Sequence, residues 1–233
     1  MKRQTADFPY TTALIVAAGR SARMGADKMW MELGGEPVIL RTLRAFEQAQ
    51  TVREIIVVTR PESIAALHAA CGRVSKLTQI VAGGATRQQS VYAGVQAAPV
   101  RTAFFSIHDG ARPLVTPQQI DEVNRCAYRT GAAALAVPVK DTIKLTDADG
   151  IVQTTPDRSR LWQVQTPQVF DAVQYKQALQ SALLHGQEYT DDCQLMEQAG
   201  RPVQLCPGDY GNIKITTPED IWMAQAILKG RDV

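Results

Sequence analysis

Cysteine and histidine are scarce in this 233-residue sequence, and neither is spaced for chemistry. The four cysteines, Cys71, Cys126, Cys193 and Cys206, form no CxxC pair and have no nearby histidine to complete a zinc set. They read as buried or idle thiols of a reducing compartment. The three histidines, His68, His108 and His185, show no local pairing with a nucleophile. Long apolar runs are also missing. The first, residues 13–18, is far too short to span a bilayer. The opening stretch MKRQTADFPY has basic residues with no apolar segment behind them, so no secretory signal is expected. A cytoplasmic protein with no membrane partner is the expectation. Charge of one sign is lacking too: the formal net charge is +2, and apolar residues break up the basic clusters. Nucleic-acid binding, which needs a basic face or tail, is not expected. Neither GxGxxG nor GxxxxGK[ST] occurs, which argues against a dinucleotide-dependent dehydrogenase and a P-loop enzyme.

What is present is a core-forming pattern. Hydrophobic residues make up 45% of the chain, enough for one large domain. Residues 11–18 (TTALIVAA) are continuously apolar and β-branched, as in a strand buried on both faces of a parallel sheet. Residues 37–48 have helical spacing, with Pro37 suited to a first turn. Further strands are predicted at 54–59, 77–81, 102–108 and 132–139, and helices at 61–71, 87–97 and 117–129. This alternation predicts an α/β fold built of βαβ units, a mostly parallel sheet with helices on both faces. The rhythm breaks at 140–155, where two short β runs (142–145 and 151–155) flank Asp147-Ala148-Asp149-Gly150, a hairpin signal. That segment is expected to project as an arm. Helices follow at 172–185, 191–198 and 218–228, with short strands near 203–206 and 212–216. One domain over 1–233 with an arm at 138–160 is the simplest organisation.

Three segments carry chemistry. AAGRSARMG (17–25) directly follows the first strand, where small residues let backbone N–H groups approach phosphate. Arg23 and Lys28 flank it as a planar fork and a mobile point charge. GGATRQQSV (83–91) follows the third strand and opens a helix, with Thr86 as an N-cap candidate and Ser90 able to read a base or ribose. HDGARP (108–113) closes the fourth strand. Asp109 suits Mg²⁺ held against phosphate oxygens, and Arg112 can grip a phosphate or simply pair with Asp109. Three strand ends with phosphate-friendly groups at one sheet edge favour a nucleotide site.

Together with PVKDTIK (138–144), DRSRLWQVQTPQVF (157–170), TDDC (190–193) and GNIKITTPEDI (211–221), these segments resemble the 2-C-methyl-D-erythritol 4-phosphate cytidylyltransferase family. The ordered set covers nearly the whole chain. The resemblance implies a Rossmann-like nucleotidyltransferase fold and a homodimer formed through the β-arm. It implies CTP and a polyol phosphate as substrates, and Mg²⁺, or Mn²⁺, as cofactor. It implies Ala17, Ala18, Gly19, Ser21, Gly84, Ser90 and Gly110 around CTP. Arg23, Lys28, Arg158 and Lys214 are the implied catalytic group. Asp109, Arg112, Thr142, Arg158, Thr166 and Lys214 are the implied acceptor group. Asp109 is the metal candidate, with Asn212, near Lys214 in sequence, as a second. Two positions depart from the family pattern. Asp27-Lys28-Met29 stands where Pro-Lys-Gln is common, so Asp27 either weakens the local positive field or pairs with Lys28. Ala85 stands where an acidic residue sometimes occurs, which leaves base contacts to the backbone. A D-ribitol-5-phosphate cytidylyltransferase and a catalytically silent nucleotide-binding regulator are the alternatives.

Overall fold

The structure, a computed structural model, describes residues 8–19 and 27–231. The chain runs β1 (Thr11–Ala17), β2 (Glu32–Leu33), β3 (Glu36–Pro37), α1 (Val38–Gln48), β4 (Val52–Thr59), a 3₁₀ turn (Pro61–Ser63), α2 (Ile64–Ala70) and β5 (Leu77–Ala82). It continues through α3 (Arg87–Ala97), β6 (Phe104–Asp109), α4 (Pro117–Thr130) and β7 (Ala132–Pro138). The remaining elements are β8 (Leu145–Thr146), β9 (Val152–Thr154), a 3₁₀ turn (Arg158–Arg160), β10 (Trp162–Asp171), α5 (Ala172–Leu184), α6 (Asp192–Gln198), β11 (Gln204–Pro207) and α7 (Pro218–Arg231).

Seven strands form one sheet in the order β11-β7-β10-β6-β1-β4-β5. β1 pairs in parallel with both β4 and β6, β4 with β5, and β7 with β11. Only β10 runs against its two neighbours. Successive side chains of a strand point to opposite faces, and the two faces bury different helices. Ala13, Ile15 and Ala17 pack with Leu43 and Phe46 of α1 and Val123 of α4. Leu14, Ile56 and Phe105 pack with Val95 of α3, Tyr175 of α5 and Met196 of α6. This explains why residues 11–18 read as unbroken apolar sequence. A smaller cluster, including Leu33, Leu114, Ile215 and Ile221, seats α7 against the β2–β3 hairpin.

The helix boundaries expected for 87–97 and 117–129 are met within a residue. α4 has the full signature: the Thr116 hydroxyl accepts from Gln119 N–H, the Gln119 side chain returns to Thr116 N–H, and Gly131 ends the helix at φ +84°. Four expectations are corrected. The segment 212–216 forms no strand; its backbone is taken up by loops and side chains, Ile215 N–H donating to Ala111 O at 2.8 Å and Arg112 Nη1 to Asn212 O at 2.7 Å. The 61–71 helix starts as a 3₁₀ turn, and the arm strands are shorter than expected, 145–146 and 152–154. β10 lies in the middle of the sheet where no strand was expected. Its Gln165, Thr166 and Gln168 are buried, which hides the strand from a hydrophobicity pattern. Side-chain hydrogen bonds satisfy them: Gln165 Nε2 donates to Asp209 O, and Gln168 Nε2 to Asp191 Oδ2, each at 2.9 Å.

β7 and β10 are paired out to Pro138 and Trp162, and the chain between them carries the short β8–β9 hairpin. Ile143, Leu145, Ile151 and Val152 are exposed there. No helix among the described residues is long and apolar enough to cross a membrane.

A buried polar knot ties α4 to the start of β4. Asp121 accepts from Thr51 N–H at 2.8 Å, from the Thr51 hydroxyl at 2.6 Å and from Gln50 N–H at 3.2 Å, and Asn124 Nδ2 donates to that hydroxyl at 2.7 Å. Removing the acceptor strands buried donors. Asp121→Ala is expected to lower unfolding free energy by about 3 kcal/mol, read as a lower urea midpoint at unchanged slope.

Candidate active site

The strands of the parallel half end at Ala17, Thr59, Ala82 and Asp109. The chain passes from β1 outward to β4 and β5, then returns to the other side of β1 as β6. The ends of β1 and β6 therefore flank a topological switch point, where open α/β sheets bind ligands. A cavity of about 550 Å³ opens there. Ala17, Ala18, Gly19, Lys28, Gly84, Ser90, Asp109 and Lys214 all line it. Arg20–Ala26 lie outside the described residues, so Ser21 and Arg23 are not placed.

Backbone crowding explains the small residues. A Cβ on Gly83 would sit 2.6 Å from Ala18 Cβ and 2.7 Å from Ser90 Oγ. The β5–α3 turn thus presses against the end of β1 because neither position has bulk. Ser90 Oγ accepts from Gly84 N–H at 3.2 Å and donates to Thr86 O at 2.9 Å, so the hydroxyl braces the turn. Thr86 caps α3 by accepting from Gln89 N–H at 3.2 Å.

Asp109 is the charged centre. Lys214 Nζ lies 2.7 Å from its Oδ2, Arg87 Nε 3.6 Å from its Oδ1, and Arg112 Nε 3.9 Å from Oδ2. Burial opposes its ionisation, but Lys214 and then Arg87 outweigh burial and hold the carboxyl well below the usual carboxylate range. The Asp109–Arg112 pair weighed from sequence is therefore the longest of three. Arg112 Nε is buried and without a hydrogen-bond partner. Lys28 Nζ donates to Ile215 O at 2.9 Å, the residue next to Lys214 in the chain.

Asp27 does not take Lys28 as its partner. Its Oδ1 accepts from Met29 N–H at 3.1 Å, and its Oδ2 pairs with Arg60 beyond β4. The physical reason is reach: Arg60 projects from the neighbouring strand end, while Lys28 extends the other way, to Ile215.

Behind Asp109, His108 is fully buried against the Phe46 ring. Its Nε2 lies 3.1 Å from Arg112 O, a carbonyl that can only accept, so Nε2 carries the proton. Nδ1 then accepts from the Thr166 hydroxyl at 2.9 Å, and that hydroxyl accepts from Asp109 N–H at 3.1 Å. Thr166 thus fixes the backbone of Asp109 from beneath. Asn212 is also buried, donating from Nδ2 to Thr166 O at 3.0 Å and to Gln165 Oε1 at 3.2 Å, and its Oδ1 has no partner. Thr142 and Arg158 stand apart from the cavity. Both are exposed on the arm side, and Arg158 Nη1 donates to Lys140 O at 3.0 Å. Gly110 packs under the cavity floor, where a Cβ would meet Ala17 Cβ and Ile39 Cδ1 at 3.2 Å each.

Arg87 was not singled out in the sequence, although it lies inside GGATRQQSV. A signal was available. A cation in the first helical turn opposes the helix dipole, so it calls for an acidic partner, and TDDC offers two. Asp192 of that motif lies 2.7 Å from Arg87 Nη2. The four cysteines are all buried, as expected, and burial pushes the Cys71 thiol up to about 11.

An open α/β sheet that gathers glycine turns, lysines and a compensated carboxylate at its switch point suits an enzyme that binds a nucleotide. The family model described as 2-C-methyl-D-erythritol 4-phosphate cytidylyltransferase matches residues 11–230. A relative of that name from Desulforamulus reducens is 46% identical over 225 residues, covering 94% of this chain and 96% of its own. Another of that name, from Caldanaerobacter subterraneus, is 45% identical, covering 94% and 98%. A crystal structure of 4-diphosphocytidyl-2C-methyl-D-erythritol synthase from Anaerococcus prevotii matches with a TM-score of 0.87 at 31% identity, over 94% of this chain and 98% of that one. The chain belongs to the 2-C-methyl-D-erythritol 4-phosphate cytidylyltransferase family.

The His108 site predicts a pH dependence. Burial, opposed by its hydrogen bond to Arg112 O and by the Asp109 charge, lowers its pKa from 6.5 to about 4. Between those values the unfolded chain binds a proton that the folded chain does not, so stability falls as the pH drops from 6.5 to 4. A loss of about 3 kcal/mol is expected across that window. Urea titrations at stepped pH are expected to show it in the wild type and to lose most of it in His108→Asn.

Proposed function

We propose that this protein transfers CMP from CTP to 2-C-methyl-D-erythritol 4-phosphate, giving 4-diphosphocytidyl-2-C-methyl-D-erythritol and pyrophosphate. The observation that carries the reading is the cavity in which Lys28, Lys214, Asp109 and the Gly83–Gly84 turn converge. Its glycine turns suit a nucleotide and its cations suit phosphates. The names of the relatives favour this acceptor over D-ribitol 5-phosphate.

In the reaction an acceptor phosphate oxygen bonds to the α-phosphorus of CTP, and the bond from that phosphorus to the β-phosphate bridge breaks. Both reactants are anions. The first task of the protein is to overcome their repulsion, and no general base is needed, because a phosphate monoester is already ionised near neutral pH. Ala17, Ala18 and Gly19 offer a narrow backbone surface to the triphosphate, and Ser21 is assigned to the same reactant by the family resemblance. Gly84 and Ser90 define the base end. Lys28, together with Arg23, takes up charge at the α-phosphate. Lys214 and the Arg112 guanidinium receive the acceptor phosphate.

A divalent ion fits this site in one manner. No cluster of three His, Cys, Asp or Glu side chains occurs among the described residues, so there is no all-protein cage. Asp109 is a single hard carboxylate facing the cavity, the arrangement that suits Mg²⁺ completed by water and substrate phosphates. Mn²⁺ accepts the same ligands. Asn212 Oδ1 is a second hard oxygen, buried without a donor. The ion when bound would neutralise phosphate oxygens; the protein residues orient and compensate.

Thr142 and Arg158 are assigned to the acceptor through assembly. They lie on an arm whose Ile143, Leu145, Ile151 and Val152 are exposed, an apolar surface suited to a second copy of the chain. In a homodimer, they would complete the partner's acceptor site. Buried, unpaired thiols suit a cytoplasmic setting.

Pyrophosphate release with CTP and Mg²⁺ is expected with methylerythritol phosphate and not with ribitol phosphate. Lys28→Ala and Lys214→Ala are each expected to lower turnover by roughly 10²–10³, as for loss of one charge-stabilising donor. Strong turnover with ribitol phosphate alone would reassign the acceptor. The arm assignment predicts that Ile151→Asp with Val152→Asp yields monomers by light scattering and a raised KM for the acceptor. A dimer that survives both changes would sink the arm assignment.

A further inference from the structure

Arg87 and Asp192 form a charged link from the nucleotide turn to the acceptor carboxylate, and the reaction as proposed gives them no task. Arg87 opens α3, three residues before Ser90. Its guanidinium spans two carboxylates, with Nη2 2.7 Å from Asp192 Oδ2 and Nε 3.6 Å from Asp109 Oδ1. Asp192 is buried and anchored independently. Its Oδ1 accepts from the fully buried Tyr175 hydroxyl at 2.5 Å, and its N–H donates to Gln168 Oε1 at 3.1 Å. Gln168 lies in β10 opposite Ile107, two residues before Asp109.

The anchor matters because of what faces it. Lys214 holds Oδ2 of Asp109 from the other side at 2.7 Å. The carboxylate is thus gripped at both oxygens by cations from two distant segments, one rooted in the core through Asp192 and one more exposed. Asp192 also compensates Arg87, so Arg87 can hold Asp109 without cancelling its charge. Resting on the transfer reaction proposed above, we infer that Arg87 is a positioning residue. Anchored by Asp192, it fixes the Asp109 carboxylate so that Lys214 is presented to the acceptor phosphate. Its side chain borders the cavity, and it acts through Asp109 rather than on the reacting atoms.

A role exerted through another residue predicts non-additivity. Arg87→Met is expected to lower kcat/KM for the acceptor by roughly tenfold to a hundredfold, the range for coupled neighbouring charges. The same change made in an Asp109→Asn background is expected to cost less than about threefold. KM for CTP should move little in either. Arg87→Lys, which keeps the charge but loses the fork, is expected to fold with an unchanged Tm and recover only part of the acceptor kcat/KM. Asp192→Asn should reproduce a fraction of the Arg87→Met loss. Equal losses in both backgrounds, or a loss confined to KM for CTP or to Tm, would overturn this role while leaving the reaction standing. No transfer by the wild type overturns the proposed reaction and this role with it.

Discussion

One buried negative charge organises the site. Asp109 ends a strand whose every residue is buried, and a carboxylate in that place is stable only with compensation. Compensation comes from three directions: Lys214 from the C-terminal segment, Arg87 from the start of α3, and Arg112 from the following turn. Each cation is drawn to a defined place by the anion, and Lys214 and Arg112 are then available, wholly or in part, to phosphate. Charges of opposite sign that already hold one another in place need little reorganisation when a charged reactant arrives.

The fold makes that convergence possible by placing the carboxyl ends of β1 and β6 side by side. β10 then adds support from beneath. Its Thr166 hydroxyl accepts from Asp109 N–H while donating to His108, and its Gln168 reaches the TDDC segment through Asp192 N–H and Asp191 Oδ2. The polar residues that make β10 an unusual central strand are the ones that tie the site to the α5–α6 connection. A more apolar strand would pack equally well and hold nothing in place.

Much of this was legible in the sequence. The parallel half of the sheet follows from unbroken apolar runs such as residues 11–17, and the α4 boundaries follow from Thr116, Gln119 and Gly131. The three loops at the sheet edge were visible because each directly follows such a run. β10 was not, since burial of glutamine and threonine leaves no periodic signal and depends on partners far along the chain. The strand expected at 212–216 failed for the converse reason: Ile213 and Ile215 alternate as in a strand, but they seat α7 and a loop instead of a sheet neighbour. Arg87 escaped notice because its partner lies over a hundred positions away in sequence. Asp27 looked like a neighbour for Lys28 on spacing alone, yet Arg60 on an adjacent strand end wins the pairing.

The antiparallel placement of β10 also sets the order in which the sheet can be completed. β5, β4, β1 and β6 can assemble from residues up to 109, with α1 to α3 covering them. β7 is made next but has no direct place beside β6, because β10 lies between them. Until residues 162–171 have left the ribosome, β6 is an open strand edge on a half-built sheet, a surface prone to mispairing. The wait is long in sequence terms, since Ile107 must find Gln168, and closing such a loop slows folding more than it weakens the product. The edge of β6 therefore stays unpaired while β7 and the arm are made, and the sheet closes only when β10 is available.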